Sequence, residues 1–327
     1  MDINKRNPNL DLIRFVAIVL VMFVHSRRFL DASLVTSSVG SIDWWVNLLL
    51  FPVGACNALL VMVSGALLLR RVDDIGTFFR HRLSRILVPF VIWATVTFLL
   101  TLMNEGGPWG WSTMALYFRR MFTFGTNTAH WFVYMILGLY LFVPPLQRFV
   151  AHAEDSVLHF TLLVLAFLSG KTILLDCQTF EMLRSPDCLY FFAFLAGYAS
   201  FHRWQSRSRF HAFNVVGLCL TGVLCLADGI WDFTRVPLDT FFAVFLFGLL
   251  LRVPLREGTL WNRFYSLVSR NSYGIYLSHF MFIPVLFPLM QYLPSWTTPF
   301  AIVLLTLAFE SLLFALLERW KLTRYLT

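Results

Sequence analysis

The sequence predicts an all-α polytopic membrane protein with about ten transmembrane helices and both termini in the cytoplasm. Of its 327 residues, 58% are hydrophobic and only 13% are charged, and the mean hydropathy is +0.70. So few polar groups cannot cover a soluble globule. Apolar runs near the roughly 20 residues that a helix needs to cross a bilayer recur from end to end. We therefore expect one transmembrane domain over residues 1–327, surrounded by a lipid bilayer.

The apolar runs between charged breaks define ten candidate spans. The first five cover residues 10–26, 46–69, 86–103, 131–147 and 157–175. The second five cover residues 189–201, 212–228, 238–251, 273–293 and 298–318. Of these, the sixth and the eighth are short for a crossing. The first run meets Ser26, Arg27 and Arg28 without a small-residue cleavage pattern, so we expect it to stay attached as a span.

The distribution of Lys and Arg favours all ten spans. With the amino terminus inside, eighteen of the 26 basic residues fall in cytoplasmic segments and seven fall outside, as the positive-inside rule requires. Without the two short spans, Arg203, Arg207 and Arg209 would lie outside. Topology thus accounts for the net charge of +8. The basic residues form no continuous stripe, so no nucleic-acid partner is expected.

The longest stretch between spans runs from Asn104 to His130. It mixes aromatic and basic side chains, namely Trp109, Trp111, Tyr117, Phe118, Arg119, Arg120, Phe122 and Phe124. An amphipathic segment lying in the membrane interface has this composition. Two interpretations stay open: an aromatic belt, or a floor or lid for a lipid-linked or glycan acceptor.

The cysteines predict no metal site, because no spacing of Cys and His matches a structural zinc motif. Cys177 and Cys188 flank one predicted outer loop, where an oxidising compartment would allow them to pair. Whether they form a disulfide stays open.

The first span carries two ionisable residues, Arg14 and His25, eleven positions apart. Eleven residues return a helix to within about 20° of the starting face and raise it by about 16 Å. Arg14 is therefore expected in the inner part of the membrane and His25 near its outer edge, on one face. Arg14 could instead snorkel and pair with Asp11, and His25 could be an interfacial histidine. Buried ionisable residues are costly, which makes both functional candidates.

These residues, in order along the chain, make the sequence resemble the acyltransferase-3 family of bacterial inner-membrane O-acyltransferases. Its first span carries a basic residue, ten intervening residues and a histidine, as Arg14 and His25 do. The resemblance continues through LVMVSGALLLRR, which contains Ser64, and RHRLSRILVPF, which contains Arg82 and Arg85. It extends through AHWFVYMILGLYLFVPP, FFAFLAGY and NSYGIYLSHFMF, essentially the full length.

The sequence also departs from the family pattern. No Pro follows Glu318, where many members have a Glu followed shortly by Pro. We expect a stand-alone version without a fused periplasmic hydrolase-like domain. In size and ending it is similar to the members that O-acetylate enterobacterial common antigen.

The resemblance implies transfer of an acyl group, most simply acetyl, from cytoplasmic acyl-CoA to a hydroxyl of a cell-surface glycan or lipid-linked saccharide. Acetyl-CoA or another acyl-CoA is the donor substrate, and no tightly bound cofactor is expected. Arg82 and Arg85 would bind its phosphates, with Ser64 on the donor side, and Arg14 would receive the donor deeper in. His25 would act as general base. Direct transfer and an acyl-enzyme both stay open, and the oligomeric state is not predicted.

Four further residues have two interpretations each. Glu310 lies mid-span. It could be a channel acid, or it could be a structural residue, either in an ion pair or protonated. His130 and Trp131 open the fourth span on the acceptor side, where Trp131 could stack on a sugar or anchor the interface. His279, in the ninth span, could line the donor channel or bond a neighbouring helix.

Two other functions compete with the acyltransferase. A transporter or flippase of a lipid-linked glycan or acyl donor would use the same buried charges along a translocation route. Broken helices and inverted repeats favour transport, and the sequence shows no clear repeat. A sensor or scaffold without catalysis would leave the buried Arg, His and Glu unexplained.

Overall fold

A computed structural model describes residues 6–34, 40–106, 110–123, 128–174, 186–231, 238–256, 258–290 and 292–327. Within these ranges the regular secondary structure is helical throughout. The α-helices are α1 Pro8–Leu34, α2 Ile42–Leu49, α3 Ala55–Leu68, α4 Ile75–Glu105, α5 Trp111–Thr123, α6 Trp131–Leu141, α7 Val143–His152, α8 Asp155–Leu174, α9 Pro186–Tyr198, α10 Phe210–Trp231, α11 Leu238–Leu250, α12 Leu260–Arg270, α13 Ser272–Met290, α14 Thr298–Arg319 and α15 Thr323–Leu326.

The ten predicted spans all overlap helices. Within the described ranges, five helical stretches are long and apolar enough to cross a membrane: Pro8–Arg27, Ile42–Leu68, Ile75–Asn104, Phe210–Asp228 and Ser295–Arg319. The pair α6 and α7, which meet at a bend of 52°, would make a sixth. The apolar stretches of α8, α11 and α13 are shorter. The chain is therefore an all-helical, multi-pass membrane protein.

Helix α1 lies inside the bundle, where it packs against α3, α12, α13 and α14. Its buried side chains include Ile13, Ala17, Ile18 and Met22. Neighbours on several sides shield α1 from lipid, so polar groups on this helix can be held by other helices.

Two glycines allow α3 and α9 to pack backbone against backbone. A Cβ at Gly65 would lie 1.9 Å from the carbonyl oxygen of Phe194, and one at Gly197 would lie 2.1 Å from that of Met62. Small residues permit such close approach in membrane helix pairs. The SGA and LAGY segments of the sequence therefore form one helix contact.

Helix α4 begins and ends with standard caps. The side chain of Asp74 accepts a hydrogen bond from the Thr77 amide at 3.0 Å. That bond lowers the pKa of Asp74, which lies just outside the span. Gly106 ends the helix with a φ of 63°, in the left-handed region that glycine adopts without strain.

Helix α5 covers most of the predicted interfacial segment. It leaves Trp111 and Phe122 88% and 83% exposed, while the Tyr117 hydroxyl is hydrogen-bonded to that of Thr95 at 2.7 Å. One side of α5 is thus tied to α4 and the other is apolar and uncovered. Three residues named in the sequence predictions, Trp109, Phe124 and Cys177, lie outside the described residues.

Candidate active site

A cavity of about 420 Å³ opens among α1, α3, α4, α6, α12 and α13. It brings together four residues that the sequence singled out, Arg14, Ser64, Arg82 and Arg85. The other residues of its lining are Arg6, Leu60, Ile86, Phe132, Ile136, Tyr140, Ser269, Arg270, Ser272, Tyr273, Tyr276 and Thr327. Among the described residues, the lining of this arginine cavity includes five guanidinium groups and no Asp or Glu, so it is suited to bind an anion.

Two of the five arginines share one buried carboxylate. Asp11 is only 3% exposed. Its Oδ2 lies 2.7 Å from Arg6 Nε, and its Oδ1 lies 3.6 Å from Arg14 Nη1. Ser269 Oγ also donates to Asp11 Oδ1 at 2.8 Å. The predicted pairing of Arg14 with Asp11 is present, and it holds the guanidinium at the cavity wall with 26% of the side chain exposed.

The remaining three arginines differ in whether an acid compensates their charge. Arg270 Nε lies 3.3 Å from Glu318 Oε1. Across the described ranges, Arg82 and Arg85 form no ion pair with an acidic side chain. Both project from α4. Because residues three apart on a helix are neighbours, they lie on one face. These two guanidiniums therefore supply most of the uncompensated positive charge in the cavity.

Tyr140 forms part of the cavity floor between these charges. Its side chain lines the cavity together with Ser64, Arg14 and Arg82. Ser64 Oγ donates to the carbonyl oxygen of Leu60 at 3.1 Å. Ser64 and Tyr140 thus place two hydroxyl groups in a cavity otherwise bounded by cations and apolar walls.

Tyr276 joins the arginine cavity to the group formed by His25, His130 and His279. Its side chain lines the cavity, and its ring lies 5.1 Å from that of Phe132 and 5.7 Å from that of His279. The Tyr276 hydroxyl donates to the carbonyl oxygen of Ala129 at 2.6 Å. Ala129 immediately precedes His130. Tyr276 therefore contacts the cavity, the ring of His279 and the residue before His130.

His25 and His279 face each other across α1 and α13. Their ring centroids are 5.0 Å apart, and His25 also contacts the Phe280 ring at 5.2 Å. His130 is fully buried, with its ring 5.3 Å from that of Phe90. Of the two sequence interpretations of His279, one put it in the donor channel and the other against a neighbouring helix; its ring lies against that of His25 on α1, and it is not among the residues that line the arginine cavity. Arg14 and His25 both point into the bundle.

Glu310 and Trp131 lie apart from the cavity. Glu310 is fully buried and accepts a hydrogen bond from Ser278 Oγ at 2.8 Å. Among the residues that the structure describes it forms no ion pair, so of the sequence interpretations the channel acid and the protonated acid stay open. Trp131 is 42% exposed, with its ring 6.0 Å from that of Tyr190.

Sequence reasoning missed Tyr140, Ser269 and the positions of Arg6 and Arg270 in the cavity. The two arginines were assigned only to cytoplasmic loops by their charge. Tyr140 looked like one more aromatic residue of an apolar span. The available signal was weak, because a tyrosine within an apolar helix needs a hydrogen-bond partner for its hydroxyl.

A family comparison identifies the chain. The family model described as an acyltransferase domain, that of the acyltransferase-3 family, matches residues 7–315.

The chain belongs to the acyltransferase-3 family.

The matched range of this acyltransferase-3 domain contains the whole cavity lining except Arg6 and Thr327, together with His25, His130 and His279. Neither the curated proteins nor the solved structures contain a match to the chain. With its apolar helices, the family identifies the chain as a membrane acyltransferase.

Proposed function

We propose that this protein is an O-acyltransferase of the bacterial inner membrane. It moves an acyl group, most simply acetyl, from cytoplasmic acyl-CoA to a hydroxyl of a cell-surface glycan or lipid-linked saccharide at the outer side. In this proposal the chain crosses the membrane ten times and both termini are cytoplasmic. The observation that carries the proposal is the arginine cavity, which Tyr276 joins to the pair His25 and His279.

The donor end of the proposal rests on charge. Acyl-CoA carries several phosphate groups, and guanidiniums bind phosphate by charge-assisted, often bidentate hydrogen bonds. Arg82 and Arg85 form no ion pair with an acidic side chain in the described part of the chain, so they are the residues proposed to hold the phosphates. Arg14, fixed by Asp11, would contact the donor farther along α1, and Ser64 would lie beside it. The pantetheine arm would then extend past Phe132 and Tyr276.

The reacting end rests on His25. In direct transfer, His25 takes the proton of the acceptor hydroxyl as its oxygen bonds to the acyl carbon. The carbon–sulfur bond breaks, and the proton passes from His25 to the departing thiolate, which leaves as the CoA thiol. The products are an ester and free CoA, so no oxidant or further reactant is needed. His130 and Trp131 are assigned to the acceptor side.

A purified preparation tests the proposal directly. The protein in lipid nanodiscs is incubated with acetyl-CoA labelled in the acetyl group and a surface glycan extract, and the labelled, alkali-labile ester is counted. We expect ester formation that His25→Ala abolishes. His211→Ala, which replaces an exposed histidine on α10, is the matched control and keeps activity. A His25→Ala protein as active as the wild type would remove the proposed base.

Transport of a lipid-linked glycan or acyl donor is the second candidate. The observation that favours it is the break of 52° between α6 and α7, since transporters bind substrates at discontinuous helices. Movement of labelled lipid-linked glycan across sealed vesicles without ester formation would support transport. Ester formation that depends on His25 would support the acyltransferase.

A further inference from the structure

We propose that His279 is a positioning residue that fixes the tautomer and orientation of the His25 imidazole. This inference rests on the proposed role of His25 as the general base. It assigns His279 to proton chemistry instead of donor binding. The geometry that points to it is the direct apposition of the two rings, with centroids 5.0 Å apart.

The backbone of α13 fixes the His279 ring. Its Nδ1 lies 2.7 Å from the carbonyl oxygen of Tyr276 and 3.2 Å from that of Ile275. A carbonyl oxygen only accepts, so Nδ1 must carry the proton. In the neutral ring the lone pair then lies on Nε2. His279 is fully buried, and a charged imidazole there would need a counter-ion.

The Nε2 atom of His279 is the acceptor this inference requires. It is buried and makes no hydrogen bond to any part of the chain that the structure describes. Buried acceptors normally have a donor, and an acceptor without one is costly. The ring of His25, which can supply an N–H, lies directly beside that of His279. At a centroid separation of 5.0 Å, no third side chain fits between the two rings.

A donor from His25 would determine which of its nitrogens is basic. If one His25 nitrogen donates its proton to His279 Nε2, the other must carry the lone pair. That nitrogen is then the base that takes the acceptor hydroxyl proton. When His25 is protonated, the N–H bond to His279 becomes charge-assisted and stabilises the imidazolium. A carboxylate performs this orienting task in Ser-His-Asp triads.

The surroundings of the pair are aromatic and neutral. Phe280 packs edge-on against His25, and the Tyr276 ring lies 5.7 Å from that of His279. His130 also interacts electrostatically with His279. On α14, Glu310 accepts a hydrogen bond from Ser278, the neighbour of His279 in sequence. An imidazole acceptor therefore replaces a carboxylate, at a lower cost of burying charge.

Two substitutions separate positioning from packing. His279→Phe keeps a flat ring but removes the acceptor, and His279→Gln restores a side-chain acceptor of similar reach. We expect His279→Phe to lower kcat for ester formation on the order of 100-fold, with a KM for acetyl-CoA within about twofold of wild type, because orienting groups act on the transition state. We expect the kcat of His279→Gln to be at least about tenfold higher than that of His279→Phe.

A second readout does not depend on turnover. In nanodisc protein with ¹⁵N-labelled histidine, NMR reports which nitrogen of each ring carries the proton. We expect an N–H of His25 coupled to Nε2 of His279 in the wild type, and a mixture of His25 tautomers in His279→Phe. If His279→Phe does not fold, the wild-type spectrum and His279→Gln still decide.

The outcomes are distinguishable from those that bear on the proposed function. An inactive wild type, or a His25→Ala protein that retains activity, would refute the acyltransferase proposal, and the NMR spectrum would still test the pair. A His279→Phe protein with kcat within about twofold of wild type would overturn the positioning role. So would an unchanged His25 tautomer, or equal losses in His279→Phe and His279→Gln.

Discussion

Replacing Arg82 by alanine tests the donor site most sharply. Arg82 lines the cavity and has no acidic partner within the described residues, so its removal leaves no carboxylate unpaired. Whatever Arg82→Ala changes is therefore the interaction with an added anion. A hydrogen bond to a charged group contributes about 1.5–3 kcal/mol. At about 1.4 kcal/mol per tenfold, the KM for acyl-CoA should rise roughly 10- to 150-fold.

The assay is ester formation at saturating acceptor with varied acetyl-CoA. Arg80→Ala is the matched control, because Arg80 projects from the same helix, two residues earlier, and is absent from the cavity lining. We expect kcat to change little in Arg82→Ala, since phosphate contacts are the same in ground and transition states. Arg82→Lys should lose less affinity, because it keeps the charge but not the planar fork.

Two results would refute this reasoning. The first is an equal rise in KM for Arg80→Ala and Arg82→Ala, which would reflect the general field of the arginines. The second is a fall in kcat at constant KM, which would place Arg82 near the reacting atoms. Acetyl-CoA lacking its 3′-phosphate should bind wild type more weakly, and a smaller penalty in Arg82→Ala would identify which phosphate this residue contacts.

Three further predictions concern stability and placement. Gly65→Ala should lower the Tm in detergent sharply or prevent folding, because overpacking typically costs about 1–3 kcal/mol, whereas Gly138→Ala, with no atom within 4 Å of the new Cβ, should not. Glu310→Gln should keep both Tm and kcat, since glutamine still accepts from Ser278; a large loss would show that the charge is needed. A spin label at Trp111→Cys should be relaxed by oxygen dissolved in the membrane, and preferential relaxation by a water-soluble nickel chelate would contradict an interfacial α5.

Much of the fold could be predicted from composition and periodicity. Apolar runs locate helices because each must satisfy its backbone internally and face lipid or other helices. All ten predicted spans overlap helices, and the short eighth span is the 13-residue α11. The break between α6 and α7 was missed, although Pro144 and Pro145 at the start of α7 lack the N–H groups that would continue α6. The number of crossings and the sides of the termini stay predictions.

The candidate site could be predicted only in part, for a physical reason. Helical geometry relates Arg14 to Asp11, and Arg82 to Arg85, because those neighbours are separated by three residues. Contacts between distant helices have no such local signal. The sequence indicated that His279 was a polar residue within a span. It contained nothing to show that the ring lies beside His25.

The separation of arginines from histidines follows from the cost of burying charge. A guanidinium is always protonated, so it needs solvent or a carboxylate, and Arg14 has both. An imidazole can be neutral, so His130 and His279 can be fully buried where the arginines could not. Acyl-CoA has the same division, with charged phosphates at one end and a neutral thioester at the other. If the arginine cavity binds acyl-CoA as proposed, holding the charged end among the arginines would direct the uncharged end toward the histidines, and a water-poor environment there would favour transfer of the acyl group over its hydrolysis.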